Sequence, residues 1–379
     1  MSKLHLFTGA TGFVGGAMVL ELLRQTDDQI ACIVRPRNNR ISTQAYLEDK
    51  LCAAARAYGW EDLLSEIPSR CRAISGDILL PSCGEEAKGR GTVSEVWHCA
   101  ASLEYRDSYR EQIFQHNIYG TKNTIALARS LKAKNFNYIS TAYVAGSTVG
   151  HVFENLLVDT ITNNCYEQSK REAEKLVDEI QDMHLRLFRP SIVIGHSKTY
   201  AATSFSGLYG FIREVNLFKY RVSKLLGSFL NHRRLRIRAD ENTPVNFIPV
   251  DMVAANAVRI SYSNSSNRVF HLTNGCVPSV APTMNIIFKE LGVRAPWYVS
   301  DNLHFTSLDE QLDESLEFYN SYLRTPKTFD QTNVEAALGS KILSCPLDAL
   351  TIQPYISWYV NKLTKKSIHN SKQGVGYAF

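Results

Sequence analysis

Short apolar runs alternate with longer amphipathic stretches through the first half of the chain. Residues 3–8 read as a buried strand, followed by a glycine-rich turn and an apolar helix over 17–23. A second strand covers 29–34. The stretch 35–70 is polar and mainly helical, with Leu47, Leu51, Ala54 and Ala55 on one stripe. Residues 72–75 lead into the strand end Gly76-Asp77-Ile78. Strands over 94–98, 137–140 and 185–188 then alternate with helices over 113–131 and 166–180. Such alternation predicts an α/β fold, a doubly wound parallel sheet of Rossmann type.

The pattern changes after Gly195. Residues 200–231 are aromatic-rich and helical, 235–238 form a short strand, and 246–260 return to a strand followed by a helix. Beyond that lie mixed helices and loops. The expected organisation is a dinucleotide-binding domain, 1–195 plus 246–272, and a smaller, mainly helical substrate lobe, 196–245 plus 273–379. The polar tail after Lys362 is expected to fray.

Composition narrows the class. The chain has 379 residues, 44% hydrophobic and 21% charged, with a net charge of +5. That is the balance of an ordinary globular protein. The charge is too small to argue for nucleic acid. No signal-type segment precedes the first strand and no long apolar run predicts a transmembrane helix, so a cytoplasmic enzyme is expected. Eight cysteines lack metal or redox spacing, and no histidine pair has ligand spacing, so no metal is expected.

The turn Thr8-Gly9-Ala10-Thr11-Gly12-Phe13-Val14-Gly15 joins a strand to a helix. Glycines there permit a tight turn and let backbone amides approach a pyrophosphate at the helix N-terminus. That context, more than the spacing, predicts a dinucleotide site. An NAD site ordinarily places an acid at the end of the second strand. Here Val34 is followed by Arg35, about twenty residues past the last glycine. A guanidinium there suits a 2′-phosphate, which favours NADPH.

Tyr166 and Lys170 stand four apart and share a helical face. An ammonium there is expected to pull the phenol towards working pH. Upstream, Ser140 and Thr141 end a strand with adjacent hydroxyls. Alone, a Tyr-x-x-x-Lys is usually a surface pair; with the glycine turn and the Ser-Thr strand end it becomes a candidate for hydride-transfer chemistry.

With these motifs the chain resembles an extended short-chain dehydrogenase/reductase over most of residues 3–272. The resemblance assigns the catalytic triad to Thr141, Tyr166 and Lys170, Thr141 keeping the family's spacing to Val144 and Gly146. It implies that Asp77 and Ile78 lie near the adenine, Ala100 and Ala101 near the ribose, and Asn117 on the helix behind the site. Pro190, Ser191 and Ile192 would flank the nicotinamide. Asp251 is implied to be a structural cap. The Val34-Arg35 strand end, the long insert after it and Ser140-Thr141-Ala142-Tyr143-Val144 resemble thioester reductases: terminal reductase domains of nonribosomal peptide and polyketide synthases, carboxylic acid reductases and fatty acyl-CoA reductases. That kinship implies NADPH-dependent reduction of a thioester on coenzyme A or a carrier protein to an aldehyde, with the alcohol as a further product. Competing readings are an oxidoreductase of a free carbonyl or alcohol, a nucleotide-sugar epimerase or dehydratase, and an NADP-sensing regulator. The last would ordinarily lack the Tyr–Lys pair.

Arg234, Arg236 and Arg238 would project to one side of a strand, where they can meet a pantetheine phosphate or carrier acids, or simply guard a sheet edge. Phe205, Tyr209, Phe211, Phe218 and Tyr220 are candidates for an acyl channel or for ordinary core.

Overall fold

In a computed structural model, residues 2–37, 41–84, 86, 93–157 and 160–372 are described, with side chains to 365. The chain divides into two compact units.

The first unit comprises 1–204, 248–275 and 328–345. Its frame is a seven-stranded sheet: β1 (Leu4–Thr8), β2 (Gln29–Val34), β3 (Cys71–Ser75), β4 (Glu95–His98), β5 (Asn135–Ile139), β6 (His184–Pro190) and β7 (Val269–Leu272). The spatial order is β7-β6-β5-β4-β1-β2-β3 and every pairing is parallel. A parallel sheet needs helices on both faces. On one face, α1 (Phe13–Gln25) and α2 (Thr43–Tyr58) share a core with the helix Val250–Ser261. Phe7, Trp97, Phe188 and Phe270 stack across the strands of this face, with centroids 5.5, 6.0 and 5.7 Å apart. On the other face, α3 (Gly120–Ser130) and α4 (Cys165–Asp178) cover Phe136, Tyr138, Leu185 and Leu187. The α2 stripe is as the periodicity requires: Leu47, Leu51, Ala54 and Ala55 are all buried.

Residues 328–345, which the pattern assigns to the substrate lobe, belong to the Rossmann unit. Long-range hydrogen bonds hold them there. Asn333 donates to the carbonyls of Val269 and Glu154, and Gln331 to that of Thr273.

The second unit comprises 205–247, 276–327 and 346–379. Its long helix α5 (Leu208–Leu226) is followed by the short α6 (Phe229–His232). A parallel pair joins Arg236–Arg238 to Trp297–Val299. Phe205, Tyr209, Trp358 and Tyr359 form an aromatic cluster; Tyr209, Phe211 and Phe218 are buried core, whereas Phe205 and Tyr220 are half-buried. The polar tail does not end the last helix, which runs Ala349–Lys372; residues 373–379 lie outside the described residues. No helix among the described residues is long and apolar enough to cross a membrane.

Candidate active site

The site builds from the C-terminal ends of β1, β4, β5 and β6. Gly9 has φ +77°, and a Cβ there would lie 2.6 Å from the Ala100 nitrogen, so the β1 and β4 ends close on one another. Gly15 is equally constrained: its Cβ would meet the Gly9 carbonyl oxygen at 2.3 Å. Gly12 differs. A Cβ there would approach only the Gly9 oxygen, at 3.2 Å, a tight contact but a milder one than at Gly9 or Gly15. Gly12 is the N-cap of α1, no side chain caps the helix, and no acid stands in its first turn. The first-turn amides, Phe13 and Val14 among them, have no intrahelical acceptor. Together these features fit a pyrophosphate at the Thr8–Gly15 turn, Thr11 included.

Arg35 follows β2 and exposes 62% of its side chain. Its guanidinium lies 3.9 Å from the Asp77 carboxylate, which also accepts from the Leu79 amide. Gly76 is packed tightly enough that a Cβ would meet the Cys83 oxygen at 2.4 Å. The Ile78 carbonyl accepts from Asn123 at 2.8 Å, which ties the turn after β3 to α3.

On the catalytic side, Lys170 is buried and donates to the Ile139 carbonyl at 2.6 Å, with its nitrogen 4.4 Å from the Tyr138 ring centroid. That bond pins α4 to the end of β5, beside Ser140 and Thr141. Burial lowers the Lys170 ammonium to about 8, with Glu174 opposing the shift. Thr141 N-caps the short turn Ala142–Ala145, its oxygen accepting from the Tyr143 amide at 3.2 Å. Its hydroxyl proton meets no acceptor among the described residues. The neighbouring Ser140 hydroxyl is buried without a protein partner, as is that of Ser191. Ser191 sits between Pro190 of β6 and Ile192, which opens a short strand.

Tyr166 departs from expectation. Burial raises its phenol above the ordinary tyrosine range, and Glu167 adds to the rise. Lys170 is not among the groups that act on it; its ammonium donates to the Ile139 carbonyl. The two side chains share the helix, yet desolvation governs the phenol.

A hydrogen-bonded chain links the two halves of the site, and its proton directions can be assigned. Thr121 donates to the Asn117 carbonyl at 2.7 Å, so its oxygen accepts from His98 Nε2–H at 3.0 Å. His98 Nδ1 then accepts from the Thr8 hydroxyl at 2.7 Å, and Thr8 accepts from the Ala100 amide at 3.3 Å. His98 is thus neutral, consistent with a pKa lowered by burial to about 3. Asn117 lies in a π-helical turn, Gln115–Tyr119, of a kind frequent at functional sites. Its side chain donates to Ser169 Oγ at 2.8 Å and to the Ser102 carbonyl at 3.1 Å, and accepts from the Ser102 amide at 2.7 Å. Ser169 donates to the Tyr166 carbonyl at 2.8 Å.

A model of an NAD-binding family, described as male sterility protein, matches residues 7–257. The chain belongs to this male sterility protein family. Among its relatives, a non-canonical nonribosomal peptide synthetase, cpsA, of Aspergillus campestris is 26% identical over 352 residues, covering 86% of this chain and 29% of that protein. Fatty acyl-CoA reductase 2 of Homo sapiens is 24% identical over 316 residues, covering 72% of this chain and 58% of that one. The chain therefore spans only part of the length of these curated relatives. Of solved structures, the terminal R domain from the myxalamid PKS-NRPS biosynthetic pathway superposes with a TM-score of 0.74 at 22% identity, covering 96% of this chain and 92% of that one.

Membership of the family bears out the expected kinship and the Rossmann fold, with a nicotinamide dinucleotide as cofactor class. The remaining groups singled out in the sequence take other parts. Asp251 accepts from the amide and hydroxyl of Ser197 at 2.8 and 2.6 Å, a structural cap. Arg236 and Arg238 pair with Asp309 and Asp313, and Arg234 lies 3.6 Å over the Trp297 ring. These three arginines are thus engaged within their own unit. Burial pushes the Cys99 thiol up to about 12, and Cys165 donates to Asp107, so neither is an activated nucleophile.

Sequence reasoning missed the bridging roles of His98, Thr121, Ser102 and Ser169. The motifs containing His98 and Thr121 were visible, but their hydrogen bonds join strands and helices far apart in sequence. It also missed a buried ion pair: Arg189 grips Glu174 with bonds of 3.0 and 2.6 Å, fixing β6 to α4.

Proposed function

We propose that the chain reduces an acyl thioester, borne on coenzyme A or on the phosphopantetheine arm of a carrier protein, to the aldehyde, with NADPH as reductant. The observation that carries this reading is the bond from Lys170 to the Ile139 carbonyl. It ties the helix that carries Tyr166 and Lys170 to the end of β5, where Thr141 follows, and so supports a joint role for the three. The family's reductase members supply the thioester.

The first-turn amides of α1 would hold the pyrophosphate, Arg35 the 2′-phosphate, and Asp77, Ile78, Ala100 and Ala101 the adenosine side. Pro190, Ser191 and Ile192 would border the nicotinamide, and Lys170 would bind its ribose hydroxyls. When bound, the nicotinamide supplies a hydride to the carbonyl carbon. Thr141 and Tyr166 donate hydrogen bonds to the carbonyl oxygen as negative charge builds there. A phenol held high in pKa is fully protonated and suited to donate. Tyr166 passes its proton to that oxygen, and Lys170 balances the charge left behind. The hemithioacetal then returns its hydroxyl proton to the departing sulfur, giving aldehyde and free thiol. A second hydride would take the aldehyde to the alcohol. Asn117, with no spare donor, serves here by holding α4 through Ser169.

The deciding measurement is NADPH oxidation with a panel of acyl-CoA and acyl-carrier thioesters, following thiol release alongside. One thiol freed per acyl group reduced is the expected result. Turnover of simple aldehydes or ketones without thiol release from any thioester would replace this reading with a carbonyl reductase.

A further inference from the structure

The corner between α5 and α6, in the second unit, groups exposed apolar side chains. Leu225 is 84% exposed, Leu226 51% and Phe229 42%, all around the turn Gly227-Ser228. Gly227 has φ +60° and closes α5, and a Cβ on it would meet nothing within 4 Å, so the turn stands clear. A second exposed aromatic, Trp297 at 52%, belongs to the same surface. The Arg294 amide donates to the Leu230 carbonyl and the Trp297 amide to that of Leu235, which lays this segment along the corner.

The segments that form the corner carry basic charge, while the helix Ser307–Ser315, tied to α5 through Arg221 and Ser315, bears the acids. From Val215 to Ala239 the chain carries seven lysines and arginines and no acid. Arg236 and Arg238 are neutralised by Asp309 and Asp313. Lys224 lies 4.9 Å from the Tyr220 ring centroid and Arg294 donates to the His232 carbonyl, and neither forms an ion pair among the described residues. Lys224 and Arg294 are exposed and Arg233 half-buried. Arg234 keeps its charge too, spread flat over Trp297.

We propose that this corner is a peripheral docking surface for an anionic lipid bilayer, a property independent of the reaction assigned above. Two features select a bilayer over a folded partner. Leu225 and Leu226 are consecutive on a helix and diverge by roughly 100°. With Phe229 beyond the glycine they crown the turn instead of sharing a plane. A fluid interface can surround such a crown, whereas a folded partner needs a socket shaped to it. The arrangement of apolar tips within a basic collar, with a tryptophan beside them, matches the chemistry of interfacial attachment.

The test is co-sedimentation of the full chain with vesicles of phosphatidylcholine alone or mixed equally with phosphatidylserine. Binding to the mixed vesicles, weakened by salt and at least about tenfold weaker on phosphatidylcholine alone, is expected. Leu225→Asp with Leu226→Asp should lower the partition coefficient by about tenfold or more. The thermal midpoint should move little, since Leu225 is almost fully and Leu226 half exposed. Lys224→Glu with Arg233→Glu should abolish the preference for phosphatidylserine. No binding by the parent chain, or binding indifferent to the leucine variants, overturns the proposal. Capture instead of an acidic acyl carrier protein, lost in the same variants, would also overturn it and make the corner a protein-docking face.

Discussion

At the scale of single residues the proposed site rests on three groups with different environments. Thr141 offers a proton, Tyr166 is a protonated phenol, and Lys170 is an ammonium whose loss of charge is brought down to about 8. Tyr166→Phe removes the proton donor while keeping the ring. Turnover should fall by roughly two to four orders of magnitude, with NADPH affinity within about twofold in fluorescence titration. Retention of full rate would show that the proton comes from elsewhere. Arg35 is exposed and paired only loosely with Asp77, which leaves its guanidinium able to turn to a ligand. Arg35→Ala should weaken NADPH on the order of ten- to a hundredfold and NADH hardly at all. Equal losses in calorimetry would exclude a 2′-phosphate role. The residue types of this site were legible in the sequence. The raised Tyr166 phenol was not, because desolvation depends on neighbours that spacing along one helix does not reveal.

At the scale of elements the glycine turn separates two demands on glycine. Gly15 is needed by the fold, since its Cβ would fall 2.3 Å from the Gly9 oxygen. Gly12 has a milder contact, 3.2 Å to the same oxygen, and it stands at the helix N-terminus where a phosphate would approach. Gly12→Ala should therefore cost less than about 1 kcal/mol of stability, as a change at an N-cap. It should nonetheless lower dinucleotide affinity about tenfold or more. Gly15→Ala should damage both. A Gly12→Ala chain that bound NADPH normally would remove the case for a pyrophosphate at this helix. The strands and the α2 stripe were readable because burial period is local in sequence. The start of α1 at Phe13 was obscured by Gly15 and Gly16, which are poor helix formers and sit there for close packing.

At the scale of the whole molecule, buried neutral histidines tie stability to pH. Burial lowers His98 and His271 to about 3, from an ordinary value of 6.5. Between those values the unfolded chain binds the extra protons, so stability rises with pH across the window and is lost as pH falls through it. Each histidine contributes up to about 1.4 kcal/mol per pH unit there. Glu154 runs the other way. Burial raises it to about 7, against the amides of His271 and Asn333 that donate to it, so its contribution falls as pH rises from 4.5 to 7. Denaturant midpoints should drop steeply between pH 6 and pH 4, within the histidine window. A His98→Asn chain should show a shallower drop; an unchanged slope would mean that His98 is already charged in the folded state. By itself the sequence determined the alternation of strand and helix and the glycine turn, and it supplied the proposed Thr141, Tyr166 and Lys170 set, since each is written in spacing or residue type over a short stretch. Only the tertiary structure decided that residues 328–345 join the Rossmann unit, that the arginines of 234–238 are satisfied internally, and that His98 carries its proton on Nε2. These outcomes depend on which buried polar groups meet across long stretches of chain, and desolvation is a property of all the neighbours together.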